Sequence, residues 1–228
     1  MTEKCDNCFN LNKDNNLIQY FIDIIEAKDP YTQGHSHHVR AITEVIYNCL
    51  PNDYRKDINK TKLLLAALFH DVGKIKTPDN ILNKDTKLSD EEWEIMKHHP
   101  KDGVSIIKNT IFCDINDCIL YHHETMDGKG YYGIKGKEIP IESRIIGIAD
   151  TFSALRTYRI YRPAKSIEET IKILHEIKGR QLDEEILGYF LSLDIEFLKN
   201  LECNCKICIE RRVAFERKSR EKNIWVEK

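Results

Sequence analysis

Histidine and aspartate side chains recur along the sequence, in several places as adjacent pairs. Nine histidines are present, and His70-Asp71 and His122-His123 are neighbours in the chain. The residues of interest are His35, His70, Asp71, His99, His122, His123 and Asp150. Imidazole nitrogens mixed with carboxylates suit iron, manganese or zinc, and a carboxylate can bridge two ions held close together. Because this set exceeds what one ion needs, the pattern predicts at least a dinuclear metal centre.

The secondary structure that must position these side chains is predicted to be helical. Apolar residues recur at helical spacing before Asp29-Pro30 and again from about Thr32 to Leu50. Two serine and glutamate pairs have the spacing of a capping box, in which each side chain satisfies a backbone donor of the other residue. They are Ser89 with Glu92 and Ser166 with Glu169. Further helices are predicted over 61–71, 101–109, 114–123, 142–158, 183–200 and 208–222. The candidate ligands then fall on five predicted helices of an all-α bundle, which is how a bundle encloses a metal centre.

Composition limits the function further. The chain has 228 residues, 41% of them hydrophobic, and a formal net charge of −2, which predicts one main domain and no basic field for long nucleic acid. The longest apolar run, Leu63 to Phe69, is far shorter than the ~20 residues that cross a bilayer. The N-terminus MTEKCDNCFN lacks the apolar core of a signal peptide. We therefore expect a cytoplasmic protein without membrane attachment.

The motifs and their order resemble the HD-GYP branch of the HD phosphohydrolase superfamily. The string HDVGKI contains the histidine and aspartate pair of the signature, and DPYTQGHSHHV precedes it. After it come PDNILNKDTKLSDEEWEIMKHHPKDG, HHETMDGKGYYG and IPIESRIIGIADTFSALRTYRIYR. The resemblance covers about residues 17–190. It implies an HD-domain helical bundle with a buried metal centre, and a metal-dependent phosphodiesterase that hydrolyses a cyclic dinucleotide, foremost cyclic di-GMP, to linear dinucleotide or GMP.

The resemblance also implies roles for individual residues. It implies that all seven candidate side chains are metal ligands, and that Asp71 acts in catalysis as the bridge between the ions. Lys74 matches the active-site lysine of the family, although a solvated lysine at a helix end is the alternative. Arg159, Tyr161 and Arg162 stand in the altered Arg-Pro-Tyr-Arg string, and we expect them to bind substrate. A solvated basic stripe is the alternative for these residues.

Two departures from the family pattern affect the expectations. The Gly-Tyr-Pro string is Gly130-Tyr131-Tyr132 here, so the proline that stiffens the loop is absent. That change bears on loop geometry and partner contacts more than on hydrolysis. Family members with a third ion carry an acidic residue where this chain has Tyr31. We therefore expect two ions, iron or manganese, rather than three.

Cysteines concentrate near the two ends of the chain. Their positions are Cys5, Cys8, Cys203, Cys205 and Cys208. Four thiolates can hold a structural zinc ion that ties the ends together, but reduced free thiols explain the spacing equally well. An iron-sulfur cluster is a more distant alternative. We divide the chain into a cysteine-containing tail over 1–14, an HD-GYP domain over 15–200, and a cysteine-rich segment with a charged helix over 201–228.

Two other functions compete with the phosphodiesterase. One is a non-catalytic receptor that binds a cyclic dinucleotide or a partner protein, and loss of the proline favours it slightly. The other is an HD hydrolase acting on a different nucleotide. The resemblance leaves room for a diguanylate cyclase or sensor protein as partner, and for a homodimer. The remaining histidines, which match no ligand of the family, are predicted to be ordinary residues: His37, His38, His98 and His175.

Overall fold

The computed structural model describes residues 11–28, 34–157, 163–202, 209–210 and 213, and this part of the chain is helical. Its α-helices are α1 Leu11–Lys28, α2 His35–Cys49, α3 Asn52–Arg55, α4 Lys60–Phe69, α5 Asp79–Leu82, α6 Asp90–Met96, α7 His99–Ile107, α8 Asn116–Leu120, α9 Ile141–Arg156, α10 Ile167–Ile177, α11 Glu184–Leu191 and α12 Ile195–Asn200. Short 3-10 helices span Val72–Lys76, Cys113–Ile115 and Gly136–Glu138. No β-strand occurs among these residues, where the only ladder contact is an isolated bridge between Lys178 and Leu182. The predicted all-α fold is confirmed.

The helix boundaries follow local capping more closely than apolar periodicity. Both predicted capping boxes form, at the starts of α6 and α10. The single helix predicted over 183–200 is wrong, because two helices occupy that range and a break separates them at 192–194. Asp183 and Asp194 each accept hydrogen bonds from two backbone N–H groups and so begin α11 and α12. Of the helix predicted over 208–222, only 209–210 and 213 belong to the described residues.

The core forms where α2 packs against α4 and α9. Helix α4 is buried from Leu63 to Phe69, so it is apolar on every side. At its end the Phe69 ring lies 5.7 Å from Phe21 of α1 and 5.0 Å from Phe112, measured between ring centroids. This packing places the His70-Asp71 pair, which directly follows α4, inside the molecule. None of the described helices combines the length and the apolar character that a membrane crossing requires.

Gly73 allows two segments that carry candidate ligands to approach closely. The 3-10 helix Val72–Lys76 packs against α7. A Cβ atom at position 73 would lie 1.8 Å from the backbone oxygen of His99 and 2.4 Å from the backbone nitrogen of Gly103. Both contacts are with backbone, which cannot rotate away. The missing side chain therefore lets His99 come close to His70-Asp71.

We expect Gly73→Ala to lower the free energy of unfolding by at least about 1–3 kcal/mol, because the added methyl group must push the 3-10 helix away from α7. Gly188→Ala is the matched control, since a Cβ atom there meets nothing within 4 Å. That substitution lies within α11 and should raise the free energy of unfolding by about 0.5–1 kcal/mol. Urea unfolding measures both changes. Equal stability of the two variants would contradict the close approach.

Candidate metal centre

His70 enters the centre directly after α4. Its Nδ1–H donates to the backbone oxygen of Ala67 at 2.8 Å, so in the neutral ring Nε2 carries the free lone pair. The side chain is fully buried, and its Nε2 has no hydrogen-bond partner in the described structure. A buried nitrogen of this kind costs free energy unless something occupies its lone pair. An inward-facing imidazole Nε2 is well suited to bind a metal ion.

Two further histidines are held in the same way. His99 donates its Nδ1–H to Met96 at 2.8 Å, and His122 donates its own to Ile119 at 2.6 Å. Each acceptor is the backbone oxygen three residues earlier, near the end of α6 or α8, and Ala67 has the same place in α4. The last carbonyls of a helix have no intrahelical partner, so the ring N–H satisfies an orphan acceptor. The same bond fixes the tautomer and turns Nε2 inward.

Asp71 lies between two groups of histidines that are candidate metal ligands. Its Oδ1 is 3.3 Å from Nε2 of His99, and its Oδ2 is 3.3 Å from Nε2 of His70. One group consists of Asp71, His99, His122 and His123, and the other of His35, His70 and Asp71, with the ligand atoms of each within 4.8 Å of one another. Both groups share the one carboxylate. The described residues therefore form two groups that could each hold a metal ion, and Asp71 belongs to both groups.

Asp150 of α9 lies next to the second group. Its Oδ1 lies 3.0 Å from Nε2 of His35, the first residue of α2. The ring of His35 is also 5.3 Å from that of His70 between centroids. The structure thus brings all seven predicted ligands into one centre. Five of them stand at or just past helix ends, where His35 and His99 begin helices and His70, His122 and His123 follow them.

The histidines of the first group are held neutral by burial. Burial lowers the pKa of His99 to about 3, and it lowers the pKa values of His122 and His123 as well. Neutral imidazole is the form that binds a metal ion. His70 differs, since burial opposes its charge but neighbouring Asp71 raises its pKa overall. A cation bound at Asp71 would reverse that effect, because it competes for the same carboxylate.

The two carboxylates of the centre are ionised despite their burial. Burial opposes the charge on Asp71, but Lys74 and His70 outweigh it and hold the pKa of Asp71 well below its ordinary value. Burial likewise opposes ionisation of Asp150, but the neighbouring imidazole of His35 outweighs it, so that the pKa of Asp150 is lowered. Anionic oxygens beside neutral imidazoles are a donor set that fits a divalent transition-metal ion.

The HD domain family model matches residues 19–186 of the chain. The chain belongs to the HD domain family. Relatives of this HD domain include a 3'3'-cGAMP-specific phosphodiesterase of Vibrio cholerae, 36% identical over 171 residues that make up 74% of this chain and 36% of the relative. A cyclic di-GMP phosphodiesterase of Thermotoga maritima is 39% identical over 140 residues, which make up 60% of this chain and 38% of the relative. The predicted membership of the HD-GYP branch is confirmed. The chain spans little more than a third of the length of these two relatives.

Solved structures agree on the fold of the HD domain. An HDG"Y"P protein from Bdellovibrio bacteriovorus superposes with a TM-score of 0.53 and 18% identity, over 80% of this chain and 64% of that one. The HD domain of the L. monocytogenes phosphodiesterase PgpH superposes with a TM-score of 0.50 and 20% identity, over 86% of this chain and 98% of that one. At such identities the likeness concerns the fold alone, and it agrees with the helical bundle described above.

The Gly-Tyr-Tyr loop of this HD domain packs against the metal centre. Glu124, which directly follows the two histidines, accepts hydrogen bonds from the backbone N–H groups of Tyr132 at 2.6 Å and Gly133 at 3.0 Å. The ring of Tyr131 then lies 4.7 Å from that of His123 between centroids. Sequence reasoning missed Glu124, although its place directly after His122-His123 could have indicated it. Its carboxylate holds the loop so that Tyr131 supports the His123 ring.

Tyr132 occupies the place of the family's proline and makes a contact of its own. The Lys101 ammonium lies over its ring, 4.7 Å from the centroid, and the Tyr121 ring is 6.2 Å away. A cation over an aromatic face stabilises by ~0.5–1 kcal/mol at exposed sites. The loop thus keeps an attachment to α7 without the proline.

Several predicted site residues lie outside the described residues. They are Arg159, Tyr161, Arg162, Cys5, Cys8, Cys203, Cys205, Cys208 and Tyr31. Their roles stay predictions.

Lys74 is described, and its Nζ donates to Oδ2 of Asp71 at 2.7 Å, which places the ammonium directly beside the shared carboxylate.

We expect the metal-free chain to bind about two Mn(II) ions, because two donor groups share one carboxylate. Asp71→Asn should weaken both ions, since the amide removes the anionic charge common to both groups. Asp150→Asn should weaken only the ion held with His35, which makes it the matched control. The chain is titrated with Mn(II) while the electron paramagnetic resonance signal of free Mn(II) is monitored, and the ions missing from that signal give the number bound. An Asp71→Asn chain that still binds both ions at full strength would contradict the sharing.

Proposed function

We propose that the chain is a metal-dependent phosphodiesterase that hydrolyses a cyclic dinucleotide, foremost cyclic di-GMP. The single observation that carries this proposal is the position of Asp71 between two groups of histidines. Two-metal sites of this kind suit in-line displacement at phosphorus, since one ion can serve the attacking oxygen and the other the leaving oxygen. The relatives named above act on cyclic di-GMP or on 3'3'-cGAMP, which supports a cyclic dinucleotide as substrate class.

The role of the metal would be electrostatic. Two divalent ions, which we expect to be iron or manganese, would lower the pKa of a water molecule and neutralise charge on phosphoryl oxygens. The chain contributes rigidity to this site. The Nδ1–H bonds of His70, His99 and His122 to backbone carbonyls prevent their rings from rotating. Fixed rings would hold the bound ions in constant positions relative to water and substrate.

Lys74 is the residue of the chain best placed to act on charge that develops in the reaction. Its Nζ lies beside Oδ2 of Asp71, and its side chain is only partly buried, so the ammonium borders both the centre and the solvent. There it would donate a hydrogen bond to a phosphoryl oxygen or to the departing 3′-oxygen. Arg159 and Arg162 would hold the other phosphate, and Tyr161 would offer a ring to a guanine base. Asp71 and Lys74 are thus the proposed catalytic pair.

Hydrolysis of cyclic di-GMP tests the proposal most directly. The chain would be purified without oxygen, loaded with Fe(II) or Mn(II), and given cyclic di-GMP, 3'3'-cGAMP, a guanosine alarmone and a deoxynucleotide in parallel reactions. We expect linear dinucleotide or GMP from cyclic di-GMP, and no product from Asp71→Ala, because the shared carboxylate is gone. Two bound ions and measurable nucleotide binding without turnover would refute the enzyme and favour the receptor. Faster hydrolysis of a guanosine alarmone or a deoxynucleotide would favour the other class of HD hydrolase.

We expect Lys74→Gln to lower kcat by about 10²–10³-fold with little change in bound metal, because the amide keeps a donor but loses the charge. Lys76→Gln is the matched control on the same 3-10 helix. The Nζ of Lys76 contacts Ser105 and Asp102 on the surface, away from Asp71. Steady-state kinetics of both variants decide the point. Equal loss of kcat in the two would mean that Lys74 has no special role.

The remaining predictions from the sequence complete the proposal. We propose that thiolates from the two ends of the chain hold a structural zinc ion, which zinc analysis of the full chain tests against reduced free thiols. We also propose that the protein works in the cytoplasm. A diguanylate cyclase or sensor protein as partner, and a homodimer, stay predictions of the resemblance.

A further inference from the structure

A chain of hydrogen bonds runs behind the candidate ligand His35, on the side away from the centre. Nδ1 of His35 lies 3.0 Å from Oγ of Ser153 in α9, and the same Oγ lies 2.9 Å from Nδ1 of His38. Nε2 of His38 lies 3.1 Å from the backbone oxygen of Leu201. Ser153 is fully buried and His38 nearly so. The two bonds to the Ser153 hydroxyl are therefore buried, and the bond to Leu201 is partly buried.

The backbone carbonyl of Leu201 determines the direction of every hydrogen bond in this series. A carbonyl oxygen only accepts, so Nε2 of His38 must carry the hydrogen. In neutral His38 the other nitrogen, Nδ1, is then an acceptor, and the Ser153 hydroxyl must donate to it. The hydroxyl has a single hydrogen, so its oxygen accepts from Nδ1–H of His35. This leaves Nε2 as the nitrogen with which His35 faces Asp150 and the centre.

We propose that His38 and Ser153 are positioning residues. Through their hydrogen bonds, the carbonyl of Leu201 determines that Nδ1 of His35 carries the hydrogen, which leaves Nε2 as the metal-binding atom of His35. The inference rests on the proposed ligation of a metal ion by His35. It gives His35 the equivalent of what His70, His99 and His122 obtain directly from helix-end carbonyls. Nδ1 of His35 contacts the hydroxyl of Ser153 rather than a helix-end carbonyl, so its protonation is set through side chains.

The carbonyl at the far end is held in place independently of His38. Arg156 of α9 donates to the backbone oxygen of Lys199 at 3.2 Å and to the Glu202 carboxylate at 2.7 Å. A further guanidinium N–H of Arg156 donates to the backbone oxygen of Lys165 at 2.7 Å. The guanidinium is buried, which makes these contacts strong. The end of α12 is thereby attached to the helix that carries Ser153.

His38 is neutral near pH 7, as the hydrogen-bond directions described above require. Burial lowers the pKa of His38 to about 4, so a hydrogen on both of its nitrogens would need acidic conditions. Its charge is not part of the proposed role. The role depends on which nitrogen carries the single hydrogen, and the carbonyl of Leu201 decides that.

The ring nitrogens themselves give the first test, which needs no metal. Long-range ¹H–¹⁵N correlation spectra of the metal-free full chain, assigned with a His38→Gln variant, report which nitrogen of each histidine is protonated. We expect a hydrogen on Nε2 and none on Nδ1 of His38, together with a hydrogen on Nδ1 of His35. A hydrogen on Nδ1 of His38 with a bare Nε2, or a bare Nδ1 in His35, would overturn the proposal.

Metal affinity gives the second test. Ser153→Ala should weaken one of the two Mn(II) ions by about 10–100-fold and leave the other unchanged, because only the His35 group loses its support. Ser143→Ala is the matched control, a buried serine of the same helix whose hydroxyl donates to the backbone oxygen of Cys118. His37→Ala controls for His38→Gln, since His37 is the exposed neighbour.

The outcomes separate positioning from general loss of structure. Weakening of one ion in Ser153→Ala and His38→Gln, with both ions retained by the two controls, would support the proposal. Equal weakening of both ions, or the same loss in Ser143→Ala, would overturn it in favour of a merely structural role. If the unmodified chain binds no Mn(II), the proposed metal centre fails, and the nitrogen spectra still decide the direction of the hydrogen-bond chain.

Discussion

The ionised carboxylate of Asp71 is buried in the middle of the helical bundle, and the surrounding structure compensates the cost of that charge. A buried carboxylate is stable only if it is paired and hydrogen-bonded. Lys74 donates to one oxygen, while His70 and His99 stand 3.3 Å away on either side. The same arrangement that stabilises the charge also gives it two sets of neighbours. The neighbours that stabilise the buried carboxylate are therefore also the groups that could surround two ions.

Helix ends are the device that orients the imidazole rings. Three helices each leave a carbonyl unpaired, and His70, His99 and His122 each use one to fix the ring. A histidine within a helix would find its neighbouring carbonyls already engaged. Placement just past a helix end, or at the start of the next helix, thus supplies both the acceptor and the inward direction. Nδ1 of His35 instead contacts Ser153, whose hydroxyl is also within hydrogen-bond distance of His38.

Close backbone approaches complete the centre. Gly73 brings the segment after Asp71 against the start of α7, and Gly130 brings the Gly-Tyr-Tyr loop against Glu124, where a Cβ atom would lie 2.5 Å from that residue's Cα. The loop then supports His123 through the ring of Tyr131. Replacement of the loop's proline by tyrosine leaves this support intact, because Glu124 holds the loop through two backbone N–H groups. The altered loop is therefore compatible with a complete set of candidate ligands.

Local chemistry allowed much of this to be predicted from the sequence alone. Helical periodicity and the capping serines Ser89 and Ser166 depend on residues a few positions apart, so the all-α class and two helix starts followed directly. The break between α11 and α12 was missed because the cap at Asp194 competes with a continuous apolar pattern. The candidate ligands followed from residue types and from the order of motifs that this HD-GYP chain shares with its family.

Only the tertiary structure decided which oxygen of Asp71 faces which histidine. It also decided that the candidate ligands form two groups that share Asp71. It also decided the part taken by His38, which the sequence placed among the ordinary histidines and which links Ser153 to Leu201 in the fold. The physical reason is the distance along the chain, since His38 and Leu201 are 163 positions apart. Contacts between distant segments depend on how helices pack, and a sequence pattern carries information chiefly about neighbours along the chain.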